Sequence, residues 1–475
     1  MSSPFMLLLL IAIIPLAIAL RNTDRDKSFA GFKDSDTIKR DVAIIGGGSS
    51  GTHAAISLKD NGFTSIVVEK KKRLGGHTKT YVDPSSGTPV DYGVVIFHNE
   101  ERVRSYFARF GIGLTQNIST LHSRTFDFKT GKAVSDNLFT PEQVAAALQK
   151  YSEIISQWPN LDRGLFLPKP IPADLTMSLG SFANKYGLEA LIPMFSQLNP
   201  GLGDLLSVPM VENLRVGGLS LLRSLSVGFL TTETHANSQL YEKAEAELIA
   251  DQSVLLGSEV ILARRRDEGV KLIVATPDGK KLILAKRLLV TIPPHQSMTE
   301  GLDLSRREAA VFSKFINAGY FTSIVNNTGI PGNLSVFNGD PTMPFDVPQL
   351  PGIYSIQETL VQGLHTVYYG TPRSHTPYDD ASVKGAIIRD ILKLQSSNPQ
   401  NFAQTEPSFV AYSSHAPFYL QASATDIAGG FYERLYALQG ERSTYWTGAS
   451  WRAQDSSSLW YFNEKIVLPQ LTSGL

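Results

Sequence analysis

Cysteine is absent from all 475 residues. No disulfide, zinc–thiolate centre, iron–sulfur cluster, thiol nucleophile or sulfur-tethered cofactor can therefore be built. Net charge is absent too, because 44 Lys and Arg balance 44 Asp and Glu. Without excess positive charge the chain lacks the field that draws proteins to phosphate backbones, and no nucleic-acid partner is expected. Charged residues make up only 19% against 42% hydrophobic, which excludes a charge-solvated disordered chain and predicts a large core. That core is larger than one domain usually organises, so two domains are expected. Short-period repeats, heptads and low-complexity tracts are also missing.

Among the features present, the first is an apolar run over residues 5–20 with Pro15 inside it. Ala17-Ile18-Ala19 has the small-x-small form of a signal-peptidase site, and a polar segment opens at Arg21. The reading is a signal peptide over 1–19 and a flexible leader over 20–40, with the body in the secretory pathway, secreted or lumenal. The alternative is an uncleaved N-terminal membrane anchor. Sequons at Asn117, Asn326 and Asn333 are compatible with glycosylation on that route.

Residues 41–45, Asp-Val-Ala-Ile-Ile, suit a buried parallel strand. The next six residues satisfy G-x-G-x-x-G through Gly46, Gly48 and Gly51, with Ser50 at the start of a predicted helix over 52–61. A second strand, 65–68, ends at Glu69. Each part has a physical reason. Gly46 permits the tight turn, Gly48 admits a pyrophosphate against backbone, and Gly51 lets helix and strand pack closely. The helix N-terminus offers unpaired N–H groups to phosphate. Glu69 would accept hydrogen bonds from a ribose diol and repel a 2′-phosphate, which favours FAD or NAD over NADP.

Arg73-Leu74-Gly75-Gly76-His77 follows, and here the chain resembles the flavin-containing amine oxidase superfamily, whose second fingerprint is Arg-x-Gly-Gly-Arg/His. The run from Gly46 through Phe97 resembles the fungal β-cyclopiazonate dehydrogenase-like branch, including its GGHT and GTPVDYGV strings. The resemblance implies FAD as cofactor, with Arg73, Gly75 and Gly76 continuing the pyrophosphate and ribityl site. Lys70, Lys71 and Lys72 read as a solvated turn. Val260 is implied as a backbone partner of adenine. Residues 442–449 resemble the closing strand and its glycine turn at Gly448, and the helix after Asp455, with Ser457 in its first turn, is implied to face the flavin.

The implied fold is α/β: a Rossmann-type FAD-binding domain of the amine oxidase kind interleaved with an α+β substrate domain. The FAD-binding domain is expected over 41–111, 244–291 and 429–470, and the substrate-binding domain over 112–243 and 292–428. His77 is the candidate for a covalent flavin bond, the alternative being a histidine that contacts the flavin without a bond. Tyr445 and Trp446 are the candidate substrate-facing aromatics. His98, His295 and His415 are acid–base candidates by side-chain type, and Lys314 reads as a surface lysine. The implied activity is oxidation of a small, largely apolar molecule, such as a nitrogen-containing secondary metabolite, by hydride transfer to flavin N5. O2 or another acceptor would take the electrons. Residues 428–440 also resemble bacterial fatty acid double-bond isomerases of this superfamily, and a non-catalytic flavin-binding protein is a third reading.

Overall fold

The computed structural model describes residues 27–117, 122–135, 138–374, 376 and 378–475. The expected signal peptide, 1–19, and residues 20–26 of the expected leader lie outside the described residues. Among the described residues no helix is long and apolar enough to cross a membrane.

β1 (Thr37–Ile45) ends in four buried residues and leads through the glycine loop into α1 (Ser49–Asp60). That helix buries Ala54, Ala55 and Leu58 and returns to β2 (Ser65–Val68), which is buried throughout. After β3 (Ser123–Asp127) comes α2 (Pro141–Ile155), which starts where a start is best satisfied. Thr140 and Gln143 form a reciprocal capping box, and proline occupies the first turn. The chain then supplies β4 (Val254–Leu255), β5 (Glu259–Arg266), β6 (Gly269–Thr276) and β7 (Gly279–Val290). Next are β8 (Tyr320–Asn326), β9 (Ser335–Asn338), β10 (Gly352–Glu358), β11 (Leu364–Gly370) and α3 (Asp380–Ser397). β12 (Ser408–Ser414), β13 (Phe418–Gln421), β14 (Thr444–Trp446) and α4 (Ser456–Phe462) complete the set used below.

The first sheet has seven strands in the order β5-β6-β7-β1-β2-β4, with β14 also paired to β7. β1 is parallel to both β7 and β2, and Ile45, Val290 and Trp446 lie side by side at the carboxyl ends of β1, β7 and β14. The second sheet runs β12-β8-β11-β10-β9-β3, extended by the short strand Lys132–Ala133. One of its faces is covered by α3, whose Val383, Ile387, Ile391 and Leu394 meet Phe321, Val325, Ile353 and Val367. Burying each such side chain contributes about 1.5–3 kcal/mol. Because side chains alternate along strands, Tyr320 and Tyr368 point to the opposite face. A bulge between Ile353 and Ser355 leaves Tyr354 free to join them.

Residues 173–227 fold largely as short helices, among them Leu179–Tyr186, Ile192–Leu198 and Met210–Leu214. Five to eight residues make barely two turns, so their apolar residues show no readable period although Phe182, Ile192, Met210 and Val211 are buried.

Candidate functional site

A cavity of about 720 Å³ opens at the carboxyl ends of β1, β7 and β14, where Gly46, Thr291 and Thr447 form its wall. Ligand sites in open α/β sheets occupy this position. The volume lies within the range of about 300–1,000 Å³ usual for small-molecule and cofactor sites.

The glycine loop is shaped by contacts that exclude side chains. Gly46 has φ +100°, and a Cβ there would lie 2.6 Å from Thr291 Oγ1. A Cβ on Gly51 would lie 1.9 Å from the Gly46 carbonyl oxygen. Gly48 caps α1 in an extended conformation without a side-chain cap, so the first N–H groups of the helix are left for a ligand. Ser50 lines the cavity with a buried Oγ that has no hydrogen-bond partner. Glu69 lies beside the loop, its carboxylate accepting from the Gly47 N–H at 2.6 Å and the Lys71 N–H at 2.7 Å.

The second glycine turn docks on the first. Gly75 N–H donates to the Gly47 carbonyl at 2.8 Å, and a Cβ on Gly76 would lie 2.9 Å from Gly48 Cα. Gly76 has φ +55°. Arg73 donates to the carbonyls of Leu74 and Gly76, bracing this turn from behind the cavity wall. Lys70 is paired with Glu259 at the surface, and Lys71, also solvent-exposed, borders the cavity, where desolvation lowers its pKa against the attraction of Glu69. Among the described residues no carboxylate lies within ion-pair range of Lys71, Arg73 or Lys79. Burial, together with Lys71 and Arg73, brings Lys79 down to about 8.

Beyond these turns the cavity becomes an aromatic chamber lined by Tyr320, Tyr354, Tyr368 and Phe418. His77 and His415 enter it as a stacked pair with ring centroids 4.2 Å apart and planes 5° from parallel. Tyr320 meets His415 edge-on at 5.7 Å and Phe418 at 5.0 Å. Desolvation, then Lys71, Lys79 and Arg73, lowers His77 to about 3. His415 is held well below the usual range by burial, His77, Lys79 and Lys71, and its Nε2 is buried without a partner. Both imidazoles are neutral at physiological pH.

A different histidine stands at the start of α4. His98 Nε2 lies 2.9 Å from Asp455 Oδ2, and its Nδ1 lies 3.0 Å from the Ser220 carbonyl oxygen. Nδ1 also lies 2.8 Å from the Ser224 hydroxyl, and the Asp455 carboxylate at Nε2 favours the protonated ring. Burial alone would lower its pKa, but the attraction and hydrogen bond of Asp455 outweigh it and the net shift is upward. Asp455 also caps α4, accepting from the N–H groups of Ser457 and Ser458. The α4 terminus is tied to that of α1, since Ser49 Oγ donates to Ser456 Oγ at 2.9 Å and accepts from Trp460 Nε1. Two helix N-termini thus converge on one cavity. The loop between β14 and α4 is held by buried Arg215, which donates to the carbonyls of Leu420, Ala449 and Arg452 and pairs with Glu212.

The structure brings Gly46, Gly48, Ser50, Glu69, Gly75, Gly76, His77 and Gly448 to this cavity. Gly51 packs beneath the loop. Ser457 stands one residue behind the wall, where its Oγ accepts from the His98 N–H and Ser456 takes the lining position. Tyr445 and Trp446 are not substrate-facing. They are the last two residues of β14 and are absent from the cavity wall, and Trp446 is fully buried against Phe312 and Trp451. Val260 is not in the cavity wall, because it pairs with Val274 in the antiparallel part of the sheet, away from the parallel strand ends. His295 is outside the wall, and Lys314 is at the surface, paired with Asp426. Of the sequons, Asn333 is exposed and Asn326 is half-buried at the end of β8, whereas Asn117 lines the cavity, a poor place for a glycan.

Sequence reasoning missed Tyr320, Tyr354, Tyr368, Phe418 and the link from His98 to Asp455. Period-two alternation in β8 and β11 was the available signal for Tyr320 and Tyr368.

The wall fits a flavin dinucleotide. It combines a cradle between Gly48 and Gly76 that a Cβ would fill, an unpartnered Ser50 hydroxyl, cations without a carboxylate, and Glu69 at the end of β2. A family profile described as an NAD(P)-binding Rossmann-like domain matches residues 44–110. The chain is 43% identical to the FAD-dependent oxidoreductase oblC of Cochliobolus heterostrophus, over 94% of this chain and 93% of the relative. It is 35% identical to the β-cyclopiazonate dehydrogenase of Aspergillus oryzae, over 94% of this chain and 95% of the relative. The crystal structure of a conjugated-linoleic-acid-producing (CLA) fatty acid isomerase from P. acnes superposes with a TM-score of 0.73 at 19% identity, covering 90% of this chain and 98% of that one.

Proposed function

Because this chain belongs to the fungal FAD-dependent oxidoreductases that include the β-cyclopiazonate dehydrogenases, we propose that it oxidises a small, largely apolar molecule held in the aromatic chamber. The observation that carries this reading is the continuity of the cavity. One space joins the glycine cradle to the chamber walled by Tyr320, Tyr354, Tyr368 and Phe418, so cofactor and substrate share a wall. A nitrogen-containing secondary metabolite is the substrate class the family resemblance suggests.

FAD, when bound, supplies a two-electron acceptor that takes hydride from carbon at N5 and passes the electrons to O2 or another acceptor. The chain supplies the remainder. Gly46, Gly48 and Gly76 let the diphosphate approach backbone, and the α1 N-terminus with the Ser50 hydroxyl donates to it. Arg73 and Lys71 add positive charge there, and Glu69 accepts from the ribose diol. Asp455 and His98 fix the α4 terminus at the other end. The chamber orients substrate between rings and excludes water, so that the reacting carbon is held rather than found by diffusion. His77 lines the same space, as a tether to the flavin would require. Yellow colour that stays with acid-precipitated chain identifies such a tether, and colour wholly in the supernatant excludes it.

Gly76→Val tests the cradle. Its Cβ collides with Gly48 from a left-handed backbone position, and FAD affinity is expected to fall on the order of 100-fold in a fluorescence titration. Wild-type affinity in this variant overturns the assignment. Function is tested anaerobically with a panel of apolar ring compounds. Bleaching of the flavin band with a product two hydrogens lighter supports oxidation. A product of unchanged mass replaces it with redox-neutral isomerisation, and absence of bleaching across the panel favours a non-catalytic role.

Entry into the secretory pathway is also proposed, supported by the apolar run at 5–20 and the small residues Ala17 and Ala19. N-terminal sequencing of protein secreted by a fungal host would find a start near residue 20. Retention in a detergent-soluble membrane fraction would replace secretion with anchoring.

A further inference from the structure

One carboxylate in the cavity wall has no partner. The wall carries three, Glu69, Asp346 and Asp455. Glu69 is engaged by two backbone N–H groups at the glycine loop, and Asp455 by His98 and the start of α4. Asp346, half-buried on the loop after β9, makes no hydrogen bond or ion pair through its carboxylate among the described residues. Asp340 on the same loop is fully used, accepting from the Thr342 N–H and hydroxyl and pairing with Lys129 at 3.1 Å. Lys71 and Lys79 act on His77 and His415, whereas the charge acting on Asp346 is the anion Asp340. Burial and then Asp340 raise the Asp346 pKa, as befits a negative charge that lacks a counter-ion.

The loop holds this residue in place. A Cβ on Gly339 would lie 3.8 Å from Asp346 Cβ, so Asp346 is folded back onto the end of β9. The Asp340 N–H donates to the Asp346 carbonyl, and the Asp346 N–H donates to the Met343 carbonyl. Phe345 and Asp346 are both left-handed, at φ 61° and 51°. Two such residues in a row are costly without glycine, and backbone of this kind gathers at ligand clamps. Phe337, Phe345 and Tyr354 line the same wall, the first and last from the paired strands β9 and β10. Tyr320, only 8% exposed, lines the cavity with a hydroxyl that has no hydrogen-bond partner among the described residues. A hard metal ion takes about six oxygen ligands, whereas one carboxylate amid ring faces suits an organic cation. Resting on the assignment of this cavity to FAD-dependent oxidation, we propose that Asp346 and the rings around it form a subsite for an ammonium group that the substrate carries away from the carbon to be oxidised. The carboxylate pairs with the charge, the faces of Phe345 and Tyr354 attract it, and Tyr320 accepts from an N–H where the group has one. Like charge at Lys71 turns the ammonium group away from the glycine cradle, which sets the direction of entry. Pinning one end of the substrate fixes which carbon reaches the flavin. No bond is made or broken at Asp346, and the ammonium group keeps its charge through turnover.

The test uses FAD-loaded full-length enzyme, with flavin content and thermal midpoint measured first so that loss of FAD or of the fold is seen separately. Benzyltrimethylammonium and neopentylbenzene have the same shape and differ by one charge. Each is titrated anaerobically at neutral pH against the visible flavin band. The cation is expected to bind at least about tenfold tighter than the neutral probe. Asp346→Asn keeps the side-chain shape and tolerates the left-handed backbone, so it removes the charge alone. That variant should lose about tenfold in cation affinity, with neopentylbenzene unchanged. Glu406→Gln removes an exposed carboxylate outside the cavity wall and should leave both titrations unaltered. Neopentylbenzene binding as tightly as the cation, or a cation preference that survives in Asp346→Asn, overturns the ammonium subsite and leaves the oxidation reading standing. Equal loss of both probes in Asp346→Asn marks a structural role and overturns the subsite too. If neither probe shifts the band of FAD-loaded enzyme, the chamber is not where substrate binds, and both readings fall.

Discussion

Two histidine sites face the same cavity and are held in different charge states. His98 meets a carboxylate at one nitrogen and a carbonyl and a hydroxyl at the other, and the carboxylate favours its charged form. His77 and His415 meet each other and three cations, so they are neutral. Burial pushes all three towards neutrality. The difference lies in one partner, Asp455. Burial alone therefore says little about what a histidine does, and the nearest formal charge says most.

The sharpest way to break the contrast is to remove that partner. Asp455→Ala leaves His98 facing an empty position and uncaps α4, two losses at one residue. Breaking a buried pair by deleting one member costs about 3–5 kcal/mol, and the lost cap adds about 1 kcal/mol. Chemical denaturation of the flavin-loaded enzyme should show a loss of that size. A loss under about 1 kcal/mol would mean that His98 is as neutral as His415, and the contrast would disappear.

A smaller effect separates the sites by pH. His98 has a folded pKa above the ordinary imidazole value of 6.5, so its contribution is complete below that value and is lost as pH rises through the folded pKa. Asp455 is shifted downward, so its contribution is complete above 3.8 and is lost as pH falls through its folded pKa. His77, at about 3, and His415, shifted in the same direction, behave oppositely to His98. Below 6.5 the unfolded chain binds protons that these folded imidazoles refuse, and stability falls by up to about 1.4 kcal/mol per pH unit for each. Comparing wild type with His98→Gln should therefore show a stability difference that shrinks on the alkaline side. Comparing it with His415→Phe should show a gain for the variant that grows on the acid side. Two differences with the same pH trend would merge the sites into one class.

What sequence could tell in advance follows the same division between local demand and distant partnership. Gly46, Gly51, Gly75 and Gly76 were readable because backbone conformation or close approach leaves no room for a Cβ, and neighbouring residues state that demand. Glu69 was readable because it ends a four-residue strand at the proper spacing. The Asp278-Gly279 turn between β6 and β7 and the helical periods of α2 and α3 are local signals of the same kind. His415 against His77 and Asp455 against His98 were not, since each pair comes from opposite ends of the chain and meets only after the sheets assemble. Tyr445 and Trp446 misled for a related reason. Aromatic type suggested a substrate wall, but position within β14, rather than beyond its carboxyl end, made them core. Phe418 and the tyrosines of β8, β10 and β11 took that place.

The smallest expected effect bears most directly on the comparison. His415→Phe at neutral pH replaces a neutral ring with a ring of similar shape, stacked on the same neighbour. The wild-type Nε2 is buried without a hydrogen bond, so deleting it relieves a desolvation cost rather than breaking a contact. Phenylalanine adds slightly more bulk beside Tyr320 and Phe418, which opposes that gain. The two terms are of similar size, and the net change in unfolding free energy should lie within about 1 kcal/mol of zero. A loss of several kcal/mol would mean that His415 is charged and partnered in the folded protein, as His98 is. A small change in stability in His415→Phe beside a large loss in Asp455→Ala is the result that separates a histidine that holds the fold from one that does not.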